Sequence, residues 1–560
     1  MKYLITSALP YINGIKHLGT LVGCMLPADV YARYLRAKGN DVLFICATDE
    51  HGTPAEISAL EENMDVRAYC DKYHKIQKDI YEGFYMSFDH FGRSSSKENE
   101  LLTQEFAADL MKNGYIEERT IKQIYSVDDG RFLPDRYVTG TCPHCGYEKA
   151  RGDQCESCTR VLDPTDLVNP RSAISGSTNL EVRETKHLFL KLPALEDKIS
   201  RFIDSKEGVW PPIVISIARK WIKEGLHERC ITRDLKWGVP VAQPGFEDKV
   251  FYVWFDAPIE YIGATMEWAN LDPEHRDYKK WWYDAKDVTY VEFMGKDNVP
   301  FHTITFPCSI IGTGKPWKMV DYLKGLNWLN FYGGKFSTSQ HRGIFTDKAL
   351  EEFKADYWRY WLMANIPEAD DVSFTFESFA DTINKDLNDV LGNFVSRCLK
   401  MTAANFGDTV PGDGSETEEE ENLKKTLSGM LADYDKYLSE MQFRKAMAEL
   451  RAIWVEGNNY FARNEPWKVI KTDKARASVI LRTAINLIYI YAELSKLIIP
   501  DSAAKIMAML DRRIENGTFI NEIRFDYVKG GDTFRFTESP FSKIAKDRVA
   551  ELAVKYKAAS

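Results

Sequence analysis

The sequence predicts an α/β protein: a doubly wound, Rossmann-like parallel sheet in a first domain, split by a cysteine-rich insertion and followed by an α-helical bundle. Three observations lead there. Tyr3-Leu4-Ile5-Thr6-Ser7-Ala8 and Asp41-Val42-Leu43-Phe44-Ile45-Cys46-Ala47 are apolar runs of strand length, with a helical stretch, Ala28 to Lys38, between them. Strands buried on both faces read in this way, and strand–helix–strand is the unit of a parallel sheet. Two CxxC pairs, at Cys142/Cys145 and Cys155/Cys158, interrupt the pattern, and beyond residue 381 it becomes almost wholly helical.

With 560 residues, 44% of them hydrophobic, the chain is too long for one core and apolar enough for several. The divisions expected are 1–114 and 231–322 for the two halves of the sheet domain, 115–230 for the insertion, 323–380 for a connecting region, 381–535 for the helical bundle and 536–560 for a helical tail. A net charge of -10 excludes indiscriminate attraction to polyanions, so any RNA partner must be met by local basic patches. Met1-Lys2 runs straight into a strand with no secretory pattern. The most apolar stretch, Ile480 to Ile499, carries Arg482, Asn486, Glu493 and Lys496, and so reads as a buried bundle helix and not as a membrane span. Cys24, Cys46, Cys70, Cys230, Cys308 and Cys398 are scattered without framework spacing, as reduced thiols are. A soluble, cytoplasmic protein without a membrane partner is expected.

The first strand ends in a turn, Leu9-Pro10-Tyr11-Ile12-Asn13-Gly14, and His17-Leu18-Gly19-Thr20 then opens a helix. A helix N-terminus aimed at the end of a parallel strand gathers unpaired N–H groups and a positive dipole end, which suits an anion. Gly19 lets a flat group approach the backbone. By itself a His at this place is more often a surface or helix-cap residue. Asp49 follows the second strand, and ligands of such sheets bind beyond the carboxyl ends of the strands, so His17 and Asp49 are expected on one rim.

The two CxxC pairs carry four thiolates, which close a tetrahedral zinc shell with no open position. The metal expected at Cys142, Cys145, Cys155 and Cys158 is therefore structural, and His144 is a bystander. Two further apolar runs, Lys249 to Phe255 and Val288 to Met294, are read as strands of the same sheet. Asp297, after Gly295, suits the two hydroxyls of a ribose or the cap of the helix that begins near Phe301-His302. Lys335-Phe336-Ser337-Thr338-Ser339 follows Tyr332-Gly333-Gly334 in a glycine-rich loop, and Ala349 to Met363 reads as one helix.

In the helical part Ile383, Leu387, Val390, Leu391, Phe394 and Cys398 form an apolar stripe. Asp386, Asp389, Asn393, Arg397 and Lys400 are placed on the opposite, solvated face. Gly412 to Glu421 reads as a loop. Trp467, after Pro466, is either a packing plug or an exposed indole on which an RNA base can stack.

The segment around His17, with Lys335-Phe336-Ser337-Thr338-Ser339 some three hundred residues later, resembles the two nucleotide-binding signatures of the class I aminoacyl-tRNA synthetases. Leu4 to Tyr11 and Asp49-Glu50-His51-Gly52-Thr53-Pro54 look like the methionine-specific family, and the resemblance runs over most of the chain. It implies that L-methionine and ATP give an adenylate and pyrophosphate, and that a tRNA(Met), initiator or elongator, then takes the methionyl group on its terminal ribose. His17, Thr20, Lys335 and Thr338 are the implied catalytic residues. ATP is implied to meet His17, Gly19, Gly295, Asp297, Lys335, Ser337, Thr338 and Ser339, with magnesium sharing the phosphate charge. Methionine is implied to meet Leu9, Tyr11, Asp49, Trp254, Ala257, Pro258, Tyr261, Phe301 and His302, a largely apolar, polarisable pocket suited to a thioether. Asn393, Arg397 and Trp467 resemble the anticodon-reading residues. Residues 115–230 match the connective peptide in place but leave no room for the larger editing insertion of the isoleucyl-, valyl- and leucyl-type enzymes, and a monomer is expected.

The chain departs from the pattern at two places. Thr20 stands where the first signature usually has a second histidine, and Phe336 and Thr338 replace Met and Lys in the second. His341 and Arg342 are candidates to restore the lost charge. Three rival readings remain. A cysteine-specific class I synthetase would need a thiol-selecting metal in its active site, and a small-molecule nucleotidyltransferase would have no use for the helical bundle. A non-catalytic tRNA-binding homologue draws on Thr20 and Thr338.

Overall fold

A computed structural model describes residues 1–560 except 153, 154, 156, 159, 161, 338–341, 516 and 558–560. Thr338, Ser339 and His341 therefore lie outside the described residues. Strand β1 (Lys2–Ser7) is the middle of a five-stranded sheet that also contains β2 (Asp41–Thr48), β3 (His90–Arg93), β4 (Val288–Gly295) and β5 (Tyr322–Leu326), in the order β5-β4-β1-β2-β3. Every pairing is parallel, with Ile5 opposite both Phe44 and Val291. Leu4, Ile5, Phe44, Ile45, Val291 and Phe293 are all buried, because helices cover both faces. The chain leaves β1 toward β2 on one side and returns as β4 on the other, so the strand order reverses beside the carboxyl end of β1. Ligands bind at such a switch point.

The helix after β1 runs from Leu18 through Leu21–Met25, which is π-helical, to Ala37. A second π-helical stretch, Phe301–Thr305, opens the helix after β4. Both extra-wide turns border the sheet's carboxyl end, where such turns often reshape a binding surface.

The strand expected over Lys249 to Phe255 is not part of this sheet. Only Val250–Phe251 is extended, antiparallel to Thr232–Arg233, and Val253–Asp256 is helical. An apolar run this short fits a buried helix as well as a buried strand, and the hydrogen bonds Phe255 N→Tyr252 O (2.8 Å) and Ala257 N→Val253 O (2.9 Å) settle it. Trp254 thus stands on a helical turn. The helix expected from Ala349 to Met363 is two, Thr346–Glu352 and Ala355–Ala364, broken at Phe353-Lys354.

The insertion is built on eleven antiparallel residue pairs between Ile116–Ser126 and Leu180–Leu190. A small three-stranded sheet, Val138–Thr141, Ala150–Arg151 and Val168–Ser172, carries the cysteines. The C-terminal part packs helices Asn393–Phe406, Glu418–Ser439, Phe443–Asn464, Lys474–Ser495 and Pro500–Met509. Lys474–Ser495 is long and apolar enough to cross a membrane, but 89% of its apolar window is buried inside the protein, as expected for a bundle helix. The loop expected to reach Glu421 stops at Thr417, which with Glu420 makes a reciprocal cap for the next helix.

Asp386 departs from its expected place on the solvated face. It is buried, takes Arg451 Nε at 2.5 Å and accepts from the Tyr360 hydroxyl at 3.3 Å. Residues Ile383–Gly392 are π-helical, and their wider turn rotates this residue away from the α-helical stripe. Arg359 ties the bundle to the first domain. Fully buried, it donates to Asp29 Oδ2 (2.8 Å), Phe84 O (3.0 Å), Ile498 O (2.7 Å) and Leu497 O (3.1 Å).

Candidate active site

The backbone past β1 is held by a further pair of hydrogen bonds to β2, Ile12 N→Asp49 O (2.8 Å) and Asp49 N→Pro10 O (2.9 Å). That pairing carries Tyr11 and Asp49 to the same rim. His17 caps the following helix with its side chain: Nδ1 accepts from the Thr20 backbone N–H at 3.3 Å. Nδ1 is therefore unprotonated, and Nε2 carries the ring's proton. Burial, and then the charge of Lys16, push the imidazole down to about 4, so His17 is a neutral N–H donor at neutral pH.

A cavity of about 340 Å³ opens at the switch point. It collects His17, Gly19, Thr20, Gly295, Asp297 and Lys335 from segments up to three hundred residues apart. Gly19 has a local reason. A Cβ there would stand 3.0 Å from His17 Nδ1, a tight contact that any larger residue would have to relieve by displacing the imidazole folded back over the helix end. The flat group that closes on Gly19 is thus its own neighbour, with the Phe336 ring stacked on His17 at 4.9 Å. Asp297 accepts from Trp328 Nε1 at 3.4 Å, and Lys335 Nζ lies 4.2 Å from the Trp328 ring centre. Ser337 bridges Arg342 across the loop and does not line the cavity. Arg342 lies against the backbone of Gly334 and points a nitrogen at Phe331 O (3.5 Å); it too is absent from the lining. Sequence reasoning missed Asn13, Lys16, Asn298, Trp328 and Phe336. Only Phe336, inside the second signature, carried a local signal.

A second cavity, about 60 Å³, adjoins the first. Its wall is Leu9, Tyr11, Asp49, Trp254, Ala257, Pro258, Tyr261, Phe301 and His302, with Ala8 and Asn298. The Trp254 and Phe301 rings are 4.6 Å apart. His302 Nδ1 faces Asn298 O at 3.0 Å, and since a carbonyl only accepts, Nδ1 holds the proton and Nε2 accepts from the Tyr261 hydroxyl at 2.9 Å. Burial keeps this ring neutral, down to about 4. Asp49 is buried, and its Oδ1 has no hydrogen-bond partner. Burial first, then Asp256 and Glu50, raise its carboxyl well above the usual carboxylate range. A buried carboxyl with an empty lone pair at a cavity wall is suited to receive a cation. Asp256 behind it is held by His51 Nδ1 at 2.7 Å, which also fixes the helical turn bearing Trp254.

In the insertion, Cys142, Cys145, Cys155 and Cys158 place their sulfurs within 4.8 Å of one another, with Cys142–Cys158 at 3.9 Å and Cys145–Cys155 at 3.6 Å. Zinc–sulfur bonds of about 2.3 Å in a tetrahedron separate sulfurs by about 3.8 Å, so the four thiols fit a closed, structural metal shell. On the helical bundle, Asn393 and Arg397 are exposed and Trp467 is 39% exposed. Arg397 lies over the Phe461 ring (5.6 Å) and donates to Asn458 (3.1 Å), while Trp467 packs against the same ring at 6.1 Å. The structure brings all three to one surface.

A split parallel sheet with a histidine-capped helix and a lysine loop facing one nucleotide-sized cleft is the arrangement of a class I aminoacyl-tRNA synthetase. Residues 3–399 match the family model described as tRNA synthetases class I (M), and residues 410–560 match that for the anticodon binding domain of methionyl tRNA ligase. The chain is 57% identical to the methionine–tRNA ligase of Streptomyces avermitilis over 98% of its own length and 97% of the relative's. It is 53% identical to methionine–tRNA ligase 1 of Acaryochloris marina, covering 99% of this chain and all of that one. Its fold resembles the crystal structure of Mycobacterium tuberculosis methionyl-tRNA synthetase bound by methionyl-adenylate (TM-score 0.78, 23% identity, 97% of this chain and 100% of that one). The chain belongs to the methionyl-tRNA ligase family.

Proposed function

We propose that this cleft joins L-methionine to ATP, releasing pyrophosphate, and then passes the methionyl group to the 3'-terminal ribose of a tRNA(Met), the reaction of the family to which the chain belongs. One observation carries the reading at atomic level: the two cavities share Ala8, Leu9, Tyr11 and Asn298 as a common wall. An amino acid whose ammonium meets Asp49 and whose side chain lies among Trp254, Tyr261, Phe301 and His302 has its carboxylate at that wall. An α-phosphate beside His17 has its far side open to the same point. In-line attack then needs no protein nucleophile, only positioning and charge stabilisation.

In this reading His17 donates from Nε2 to the phosphate oxygens, and Lys335 follows charge onto the leaving pyrophosphate. Thr20, at the rim, supplies a hydroxyl where the family usually has a second histidine. Asp297 accepts the ribose hydroxyls, and Gly19 and Gly295 leave room for the nucleotide. Ser337, Thr338 and Ser339, from the second signature, are read as further contacts to ATP. Magnesium arrives with ATP and neutralises phosphate charge. In the pocket, Tyr261 donates to His302 and has only oxygen lone pairs left, so methionine is held by shape and polarisability. The four cysteines hold one structural zinc, read by metal analysis as one zinc per chain. Asn393, Arg397 and Trp467 grip the anticodon loop, which initiator and elongator tRNA(Met) share, so both are substrates. One copy carries cleft and anticodon surface together, as a monomer in the cytoplasm requires.

The test is amino-acid-dependent exchange of pyrophosphate into ATP, run against all twenty amino acids without tRNA. Exchange with methionine alone supports the reading; exchange with none of them moves the chain to the non-catalytic alternative.

A further inference from the structure

The cleft holds a cation that the two family signatures leave unexplained. Lys16 precedes His17 and lines the same cavity, yet its residue surface is only 5% exposed. Its ammonium donates to Asn13 Oδ1 at 2.8 Å and Asn13 O at 3.3 Å. No carboxylate oxygen of the described residues lies within 4.0 Å of it. An ammonium has three hydrogens, so one is uncommitted on the cavity side. The backbone is pinned as firmly as the side chain: the Lys16 carbonyl accepts from both the backbone N–H and the hydroxyl of Thr346, each at 2.9 Å.

A buried cation without a counter-ion costs several kcal/mol. A protein keeps such a group where the counter-ion arrives with the ligand. The ligand of this cavity, on the reading proposed above, brings a triphosphate. Among the described residues the other positive groups at the cavity are few. His17 is neutral, Thr20 carries no charge, Arg342 is absent from the lining, and Lys335 stands across the cavity on Trp328.

We propose that Lys16 is a catalytic, phosphate-binding residue of the activation step, its ammonium taking up at the triphosphate the positive charge that Thr20 does not supply. Asn13 is the positioning residue that aims it. The inference rests on the ATP site proposed above and adds a residue to it.

The proposal has a signature that a structural lysine lacks. Burial lowers the Lys16 ammonium to about 7, with Asp49 opposing that shift. The other titratable groups around it are His17 beside it, Tyr11 and Cys24 along the cavity, Asp297 beyond β4 and Lys335 on the facing hairpin. Asp347 follows Thr346 on the anchoring segment. His17 is neutral in the free enzyme, and the Lys16 variants separate any proton it takes up from that taken up by Lys16. Free enzyme at pH 8 holds Lys16 mostly deprotonated, whereas the triphosphate complex requires it charged. ATP binding is then expected to take up a larger fraction of a proton at pH 8 than at pH 6. The affinity for ATP falls as pH rises above 7, by about tenfold per unit, until the pKa of the complex is reached.

The experiment is calorimetric titration of the full chain with magnesium–ATP, without methionine or tRNA, at pH 6, 7 and 8 in buffers of different ionisation enthalpy. The same titrations on Lys16→Met and Lys16→Arg are paired with exchange kinetics. The wild-type chain is expected to take up a larger fraction of a proton at pH 8 than at pH 6. Lys16→Met is expected to raise the KM for ATP about 10- to 100-fold, to leave the KM for methionine in place and to lose the uptake. Lys16→Arg, always charged, recovers part of the ATP affinity and shows no uptake and no pH slope. An unchanged KM for ATP in a folded Lys16→Met overturns the proposal. Failure of methionine-dependent exchange in the wild type overturns the activation reading instead, and is seen separately because the titration contains no amino acid.

Discussion

The Nδ1 atom of His17 accepts the backbone N–H of Thr20 at 3.3 Å, so one imidazole both caps a helix and fixes its own tautomer. The ring's single proton is thereby assigned to the nitrogen that is free to meet a phosphate. The cap and the proposed phosphate donor are two functions of one side chain, and they can be separated.

His17→Ala removes both. The cap costs about 0.5–2 kcal/mol of stability. The lost donor costs roughly 3 kcal/mol of barrier, a fall in kcat for pyrophosphate exchange of about a hundredfold or more. His17→Asn keeps a cap-forming side chain, so thermal unfolding should return toward wild type while exchange stays slow. Recovery of exchange together with stability would mean that His17 acts through the helix alone.

Trp254→Ala opens one wall of the smaller cavity and removes the partner of the Phe301 ring, 4.6 Å away. Apolar fit of this kind discriminates by roughly 1–3 kcal/mol. The expected result is a KM for methionine raised about tenfold or more in pyrophosphate exchange, with the KM for ATP unchanged. An equal rise in both constants would show that the helical turn Val253–Asp256 had moved as a whole.

The sheet and the cysteine cluster were legible because each is encoded locally: buried parallel strands as unbroken apolar runs, a metal shell as paired thiols. His17 and Asp49 share a rim because both follow the ends of neighbouring strands. Lys16 was not legible. A lysine beside a turn reads as solvated, and only the packing of Thr346 and Asn13 around it makes it a buried cation. Trp254 was placed on a strand because Lys249 to Phe255 has no polar residue after Lys249 to mark where the extended chain stops. Asp386 was placed in solvent because α-helical periodicity cannot anticipate a π-helical turn.

Trp467 and Arg397 both contact the Phe461 ring, far along the chain from the cleft. Stacking of a base on an aromatic ring contributes about 1–3 kcal/mol. Trp467→Ala should therefore raise the KM for tRNA(Met) in the charging reaction by about 10- to 100-fold, and leave pyrophosphate exchange without tRNA unchanged. Charging at the wild-type KM would assign Trp467 to packing only.

Asp29 and Arg359 form a fully buried ion pair at 2.8 Å that joins the sheet domain to the connecting region packed on the bundle, and it makes stability depend on acid. Burial pushes the Asp29 carboxyl up, but the charges of Arg33 and Arg359 and the hydrogen bond from Ser87 outweigh it and bring the group from 3.8 down to about 2. A carboxyl depressed in the folded state stabilises the fold above its unfolded pKa, and the contribution disappears as pH falls through the folded one. The window is thus pH 4 to 2, and a shift of nearly two units is worth about 2.5 kcal/mol. Asp29→Asn leaves Arg359 buried without its counter-charge and is expected to cost about 3–5 kcal/mol at pH 7, while the acid dependence from this site vanishes. Urea unfolding of both chains from pH 7 down to pH 2.5 reads the two effects together. Parallel loss of stability with acid in wild type and variant would place the sensitivity at other carboxylates.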